Sequence, residues 1–399
     1  MVRHRISQYA EKRAAMFCFL AGQNLLLQVK KYIVIGERKT GDSTSEKENP
    51  PMNNRFFILL QTAILVIVLG LGITGCGAAG DGQGSTANGS TEYVIRLGHS
   101  DTEDNLINVS LQHYAEYVKE QTGGRVVIRL YPNEELGDNT DMAQQLVTGQ
   151  LDAMMMPQGV EATYAPKIAT LGLPFLFTSY EQAWAVMDDE EIAKGLTEGL
   201  DSYNMIQLAF WENGMRQITN SVREISAPSD VSGLRMRIPD DDMTEAIFKS
   251  LGARTTVFSW NKTYDALKQG TFDCQENPIA NIYANHIQEV NQYLTITNHK
   301  YESKNLVFSQ TTWKKLPKDV QQVLREGAVI YGKEHREAVA AQQGKQLEEL
   351  KAAGMVVNES PDIAAFKTAT RRVYTDFELQ NEWTVNLVAR IRKVIAQTP

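Results

Sequence analysis

Arginines in an acidic chain are the first residues to read, because a protein that binds a small anion must gather its few positive charges locally. Arg216 follows Gly214-Met215 and precedes the apolar Ile218, while Arg235 and Arg237 alternate along Leu234-Arg-Met-Arg-Ile238 before Pro239. On a strand these two arginines share a face, opposite Leu234, Met236 and Ile238. An arginine at the carboxyl end of a parallel strand points to the crevice where open α/β folds bind ligands. Its planar fork suits a carboxylate through two parallel hydrogen bonds. The same pattern also fits a surface salt bridge with the Asp240–Asp242 run, and spacing alone does not choose. Trp260 and Tyr264, at a strand-to-helix junction, suit either a pocket wall or a core. Gln275, Glu276 and Asn277 before Pro278 offer polar groups of fixed geometry or a plain polar turn.

Other chemistries find less support. The chain has no G-x-S-x-G, H-E-x-x-H or P-loop. Asp273-Cys274-Gln275-Glu276, with His286 and His299, could supply metal donors, but no pair has zinc-type spacing, and Cys274 reads as lying in a loop beside a proline. Gly70-Leu-Gly72-Ile-Thr-Gly75 matches a dinucleotide fingerprint by chance, since the glycine-rich run after it cannot open the required helix. No metal, no cofactor and no enzymatic activity are expected.

The elements that must position these residues alternate strand and helix. Strands are predicted over Tyr93–Gly98, Val126–Tyr131 and Leu151–Met156, with helices over Asn105–Gln121 and Asp138–Thr148. That order argues for a parallel sheet covered by helices. An apolar loop at Leu171–Phe177, a helix near Tyr180–Gly195 and a buried strand at Ser202–Trp211 follow. The cycle restarts with a strand over Gly233–Ile238, a helix over Asp241–Leu251, a short strand to Val257 and a helix over Asn261–Gln269. Tyr293–Thr297 and Leu306–Ser309 read as two further strands, and Gly354–Asn358 as the last. From Pro317 to about Ala352 a helical pattern runs far beyond the average helix length, long enough to brace two domains. Two α/β domains suggest a receptor that closes around a solute.

Charge and cysteines bound the setting. The 399 residues carry a net charge of −8, unevenly spread. Residues 1–75 hold ten Lys/Arg against five Asp/Glu, and the remainder 30 against 43, a net of −13. Such a chain is a poor nucleic-acid binder. The apolar run Phe56–Ile73 follows Arg55 and leads into Ile73-Thr74-Gly75-Cys76, which describes an export signal ending in a lipobox-like tetrad. Cys76 is then the expected lipidation site, the membrane anchor and the first mature residue; an uncleaved span is the rival. Translation is expected to start at Met52, leaving residues 1–51 as an upstream extension. Residues 52–75 form the signal and 76–92 a flexible tether. Cys274 is then the lone thiol of the body, so no intrachain disulfide forms.

The sequence resembles the solute-binding proteins of TRAP (tripartite ATP-independent periplasmic) transporters, the DctP family. The resemblance rests on Gly214-Met-Arg216-Gln-Ile-Thr-Asn220, Asp230-Val-Ser-Gly233-Leu-Arg-Met-Arg237-Ile-Pro239, Leu251-Gly-Ala, Tyr264-Asp-Ala-Leu-Lys-Gln-Gly270-Thr-Phe-Asp273-Cys-Gln-Glu-Asn277-Pro278 and Thr297-Asn-His299. Thr122-Gly-Gly124, Tyr131-Pro, Leu136-Gly137, Gly149-Gln-Leu-Asp152 and Leu173-Pro-Phe-Leu-Phe177 agree, and the likeness covers residues 93–397.

The resemblance implies a two-domain periplasmic-binding-protein-like α/β fold with a long bracing helix and a cleft between the domains. Domain I is expected over 93–214 and 303–342, and domain II over 215–302 and 343–399. Arg237 matches the family arginine that clasps the ligand carboxylate, and Arg216 a second basic position assisting it. Asn277 matches a position that hydrogen-bonds nearby, and Trp260 an aromatic set against the ligand. Ser100, Asn139 and Gln158 fall near first-domain pocket positions. Met156-Pro-Gln-Gly159 lacks the acidic residue of the sialic-acid-binding branch, and Cys274 stands where many members have Gly. The implied function is capture of a small organic acid, a uronate or aldonate before a C4-dicarboxylate, because the first-domain pocket positions offer no second cation; Arg254, outside them, is the exception. The implied partner is an ion-gradient-driven membrane permease, with the receptor a monomer. A sensory receptor feeding a signalling kinase is the rival.

Overall fold

The computed structural model describes residues 92–398. The apolar run 56–73, Cys76 and the tether lie outside the described residues. In chain order the elements begin with β1 (Tyr93–Gly98), α1 (Leu106–Gln121), β2 (Val126–Tyr131), α2 (Asn139–Thr148), β3 (Ala153–Pro157) and α3 (Gln158–Glu161). Next come α4 (Tyr180–Asp188), α5 (Glu190–Leu196), β4 (Met205–Asn220), β5 (Arg235–Ile238), α6 (Asp242–Ser250), β6 (Arg254–Val257), α7 (Thr263–Lys268) and β7 (Cys274–Pro278). The chain ends with α8 (Ile279–Ala284), β8 (Tyr293–Ser309), α9 (Gln310–Trp313), α10 (Lys318–Ala352), β9 (Val356–Asn358), α11 (Ile363–Ala369), α12 (Arg371–Gln380) and α13 (Thr384–Gln397).

Local chemistry sets the helix ends. Asn105 caps α1 by accepting from the Ile107 amide, and Asp138 and Asp141 form a reciprocal capping box at α2. The helix expected over 180–195 is two helices, because Asp189 turns extended and caps α5 through the Glu191 and Ile192 amides.

The strands form one mixed sheet in the order β2-β1-β3-β8-β4-β7-β5-β6, with β9 paired to β8. Parallel pairing holds within each end, β2-β1-β3 and β7-β5-β6. The parallel sheet expected from the first three strands is present, and at the centre of the whole sheet β4 and β8 run antiparallel to each other, β8 to β3 and β4 to β7. These two strands, of 16 and 17 residues, carry the chain through both lobes. The short strands read at 202–211, 293–297 and 306–309 are therefore parts of two long crossing strands.

Helix α10 is unbroken over 35 residues, about 50 Å at the standard rise. Two of its three glycines are contact points. A Cβ at Gly332 would meet Trp211 Cδ1 and Nε1 at 2.7 Å, and one at Gly327 would meet the rings of Tyr114 and Tyr117. The first lobe's core packs Ile95, Leu97, Leu111, Tyr114, Trp211 and Phe308 beneath this helix. The second lobe has its own apolar clusters, around Met236, Ile247 and Phe248 and around Leu267, Ile282 and Leu294.

Candidate functional site

Strand β5 places Arg237 by alternation and termination. Met236 and Ile238 are fully buried in the core, and Pro239 ends the strand. Arg237 thus projects at the carboxyl end of a parallel strand, while Arg235 is exposed and paired with Asp273, not with the Asp240–Asp242 run. The Arg237 side chain is itself buried. Its Nε donates to the Phe258 carbonyl at 2.9 Å, and its guanidinium carbon lies 5.2 Å from the centre of the Trp260 ring. Among the described residues no carboxylate pairs with it. Burial pulls its pKa down to about 10, against the opposing field of Glu276. A buried cation without a counter-ion is costly, and it faces a cleft of about 280 Å³ between the lobes.

The first turn of α2 forms the opposite wall, with Asp138, Asn139 and Thr140. Asn139 Oδ1 and Trp260 Nε1 are buried with no hydrogen-bond partner among the described residues. The cleft therefore offers a cation, an aromatic face, a spare acceptor and a spare donor. Arg237, Trp260 and Asn139 are the sequence candidates that line it.

The other candidates lie outside that lining and have internal partners. Arg216, on β4, donates to both Glu276 oxygens and to the Glu276 carbonyl, with Nη2 at 2.6 Å from Oε1. It also pairs with Glu302. Asn277 donates to Gln275 Oε1 at 2.8 Å, and Gln158 Oε1 accepts from the Ser303 amide at 3.2 Å. Ser100, buried after β1, lies 3.5 Å from Lys304 Nζ. Arg254 is exposed on β6, the sheet's edge strand. Cys274 sits in the buried strand β7, not in a loop, and burial pushes its thiol pKa up.

Sequence reading missed a buried ionic array. Lys300, Glu302 and Lys304 share one face of β8, pairing with Asp241, with Lys300 and Arg216, and with Asp101. Glu276 carries the Arg216 pair and lies 3.3 Å from His299 Nε2. Burial alone would raise its pKa, but Arg216 and His299 outweigh that and hold it near 2. The signal was present as Lys-x-Glu-x-Lys at strand spacing, and Glu302 brings the array to the cleft. Glu134, in the loop after β2, also lines the cleft and was not singled out.

A larger groove of about 630 Å³ lies beside α6 and α12, but its cations Lys249 and Arg372 are exposed and tied to Glu245 and Asp376 on their own helices. Charges already paired in water do not make an anion site. Among the described residues no group of His, Cys, Asp or Glu could hold a metal, and no helix is long and apolar enough to cross a membrane.

Known proteins share this architecture. The bacterial extracellular solute-binding protein family 7, DctP, matches over residues 97–381. The uncharacterized protein y4mM of Sinorhizobium fredii is 39% identical over 58% of this chain, a match spanning only 42% of that protein's length. A solute-binding protein of Verminephrobacter eiseniae is 31% identical over 74% of this chain and 88% of its own. Among solved structures, a TRAP periplasmic solute-binding protein from Polaromonas bound to D-erythronate superposes with a TM-score of 0.72 at 29% identity, covering 75% of this chain and 98% of that one. One from Chromohalobacter salexigens with bound D-glucuronate gives 0.72 at 27% identity, covering 75% and 99%. A match running from β1 into the segment after α12, on a two-lobed frame shared with these receptors, has one reading: the chain belongs to the DctP family, the extracytoplasmic solute receptors of TRAP transporters.

Proposed function

We propose that this receptor captures a sugar acid, a uronate or an aldonate, and delivers it to the membrane subunits of an ion-gradient-driven permease. One observation carries the reading: Arg237 is buried at the cleft, its Nε bonded to the Phe258 carbonyl and its guanidinium without a carboxylate partner among the described residues. A ligand carboxylate would supply the missing counter-charge in two parallel hydrogen bonds. Trp260 then packs against the ligand, and Asn139 Oδ1 accepts from a ligand hydroxyl. Arg216 assists from behind the cleft lining, holding Glu276 and Glu302, while Asn277, Gln158 and Ser100 are proposed to support the lining residues from the layer behind. Solved relatives that hold D-erythronate and D-glucuronate support the sugar-acid class. The receptor acts as a monomer anchored by lipid on Cys76.

Thermal-shift screening of uronates, aldonates and C4-dicarboxylates tests the ligand class. Because binding stabilises only the folded chain, a sugar acid is expected to raise Tm most. A panel in which only dicarboxylates raise it would reject the sugar-acid reading. The anchor is tested by labelling native cells with a radioactive fatty acid, which is expected to mark the protein and to be lost in Cys76→Ser.

A further inference from the structure

The cleft is electrically lopsided. Among the described residues Arg237 is the one cation in its lining, against five carboxylates: Glu134, Asp138, Asp240, Asp241 and Glu302. Asp241 and Glu302 are neutralised by Lys300 and Arg216, whereas no ion pair involves Glu134, Asp138 or Asp240 among the described residues. Asp240 accepts from Thr140 at 2.7 Å, and Asp138 caps α2. Glu134 is the buried one, at 7% exposure.

The chain holds Glu134 there against local preference. Asn133 and Glu134 have φ of 53° and 60°, consecutive left-handed residues without glycine. Such strain persists only where the surroundings impose it. Here the Asn133 amide bonds the Asp101 carbonyl at 2.8 Å, and the Glu134 amide bonds the His99 carbonyl at 3.1 Å. The side chain then reaches the other lobe, where Oε2 accepts from Ser259 Oγ at 2.6 Å and from the Asn261 amide at 3.4 Å. Oε1 is buried and has no partner among the described residues. A buried carboxylate oxygen without a donor is costly, and a ligand hydroxyl can supply that donor.

We propose that Glu134 is a specificity residue: its carboxylate accepts hydrogen bonds from the hydroxyls of a ligand whose single carboxylate is held by Arg237, and its charge excludes a second carboxylate. This rests on the sugar-acid reading and narrows it, making the receptor selective for hydroxylated monocarboxylates over C4-dicarboxylates. Rejection by like charge is the means by which specificity exceeds affinity.

Calorimetric titration of D-glucuronate, D-erythronate and succinate into the wild-type protein, Glu134→Gln, Ser259→Ala and Arg237→Ala tests it. Wild type is expected to bind a sugar acid more tightly than succinate. Glu134→Gln keeps the shape but removes the charge, and is expected to shift the affinity ratio toward succinate by about tenfold or more. Ser259→Ala, which loosens the tie between lobes without changing charge, is expected to weaken all ligands alike and leave the ratio in place. An unchanged ratio in Glu134→Gln, or a wild-type preference for succinate, overturns the role of Glu134. If the sugar acids still bind and Arg237→Ala abolishes that binding, the proposed function survives such a result. Wild-type protein that binds neither sugar acid overturns both readings.

Discussion

Arg216 on β4 and Arg237 on β5 are the same residue type on strands separated by β7, and their surroundings divide their work. Arg216 is saturated by Glu276 and Glu302, whereas among the described residues Arg237 has only a carbonyl and an aromatic ring. The Arg216 array therefore belongs to stability. Glu276→Gln leaves Arg216 short of its main partner and is expected to cost on the order of 3 kcal/mol in urea denaturation. Glu276 has its folded-state pKa depressed from 4.5 to about 2. Its contribution is fully present above 4.5 and is lost as pH falls toward 2, because the unfolded state then binds more protons. The wild-type chain is thus expected to lose stability across that interval, and Glu276→Gln to lack that part of the slope. Arg237 was legible as a cleft candidate from its place before Pro239. The partners of Arg216 were not, because they come from β7 and β8, 60 and 86 residues away.

At the scale of elements, α10 was legible because its helical period survives three glycines. The glycines differ in what they meet. A Cβ at Gly332 would lie 2.7 Å from the Trp211 ring, whereas Gly344 has nothing within 4 Å. Gly332→Ala is expected to destabilise by about 1–3 kcal/mol through overpacking. Gly344→Ala is expected to stabilise by about 0.5–1 kcal/mol, since alanine loses less backbone freedom in a helix. Chemical denaturation of the two variants reads both signs. Strand β8 was the hardest element to read. Hydropathy takes Asn298-His-Lys-Tyr-Glu-Ser-Lys-Asn305 as a polar loop between two strands, yet most of it is buried, its charges paired with Asp241, Arg216 and Asp101. Burial of charge depends on partners brought by the tertiary fold, and these are invisible in a local window.

For the whole molecule, hydrogen bonds span the two lobes: Thr140 to Asp240 at 2.7 Å, Ser259 to Glu134 at 2.6 Å and Asn105 to Asn281 at 3.1 Å. Across the same boundary Gly159 abuts Asp241, where a Cβ would come within 2.5 Å of the Asp241 Cβ. These contacts hold the lobes together, and we propose that ligand shifts the population toward this arrangement. Scattering in solution is expected to show a smaller radius of gyration with ligand than without. Ligand at a hundredfold its Kd is expected to add about 2.7 kcal/mol of stability. Both effects depend on one charge pair. Calorimetric titration of D-glucuronate into the wild-type chain and into Arg237→Ala, each first shown to be folded, tests that dependence most directly. The expected result is measurable binding to wild type and a loss of about a hundredfold or more in the variant; equal affinity in the two would contradict the assignment of Arg237 as the carboxylate clasp.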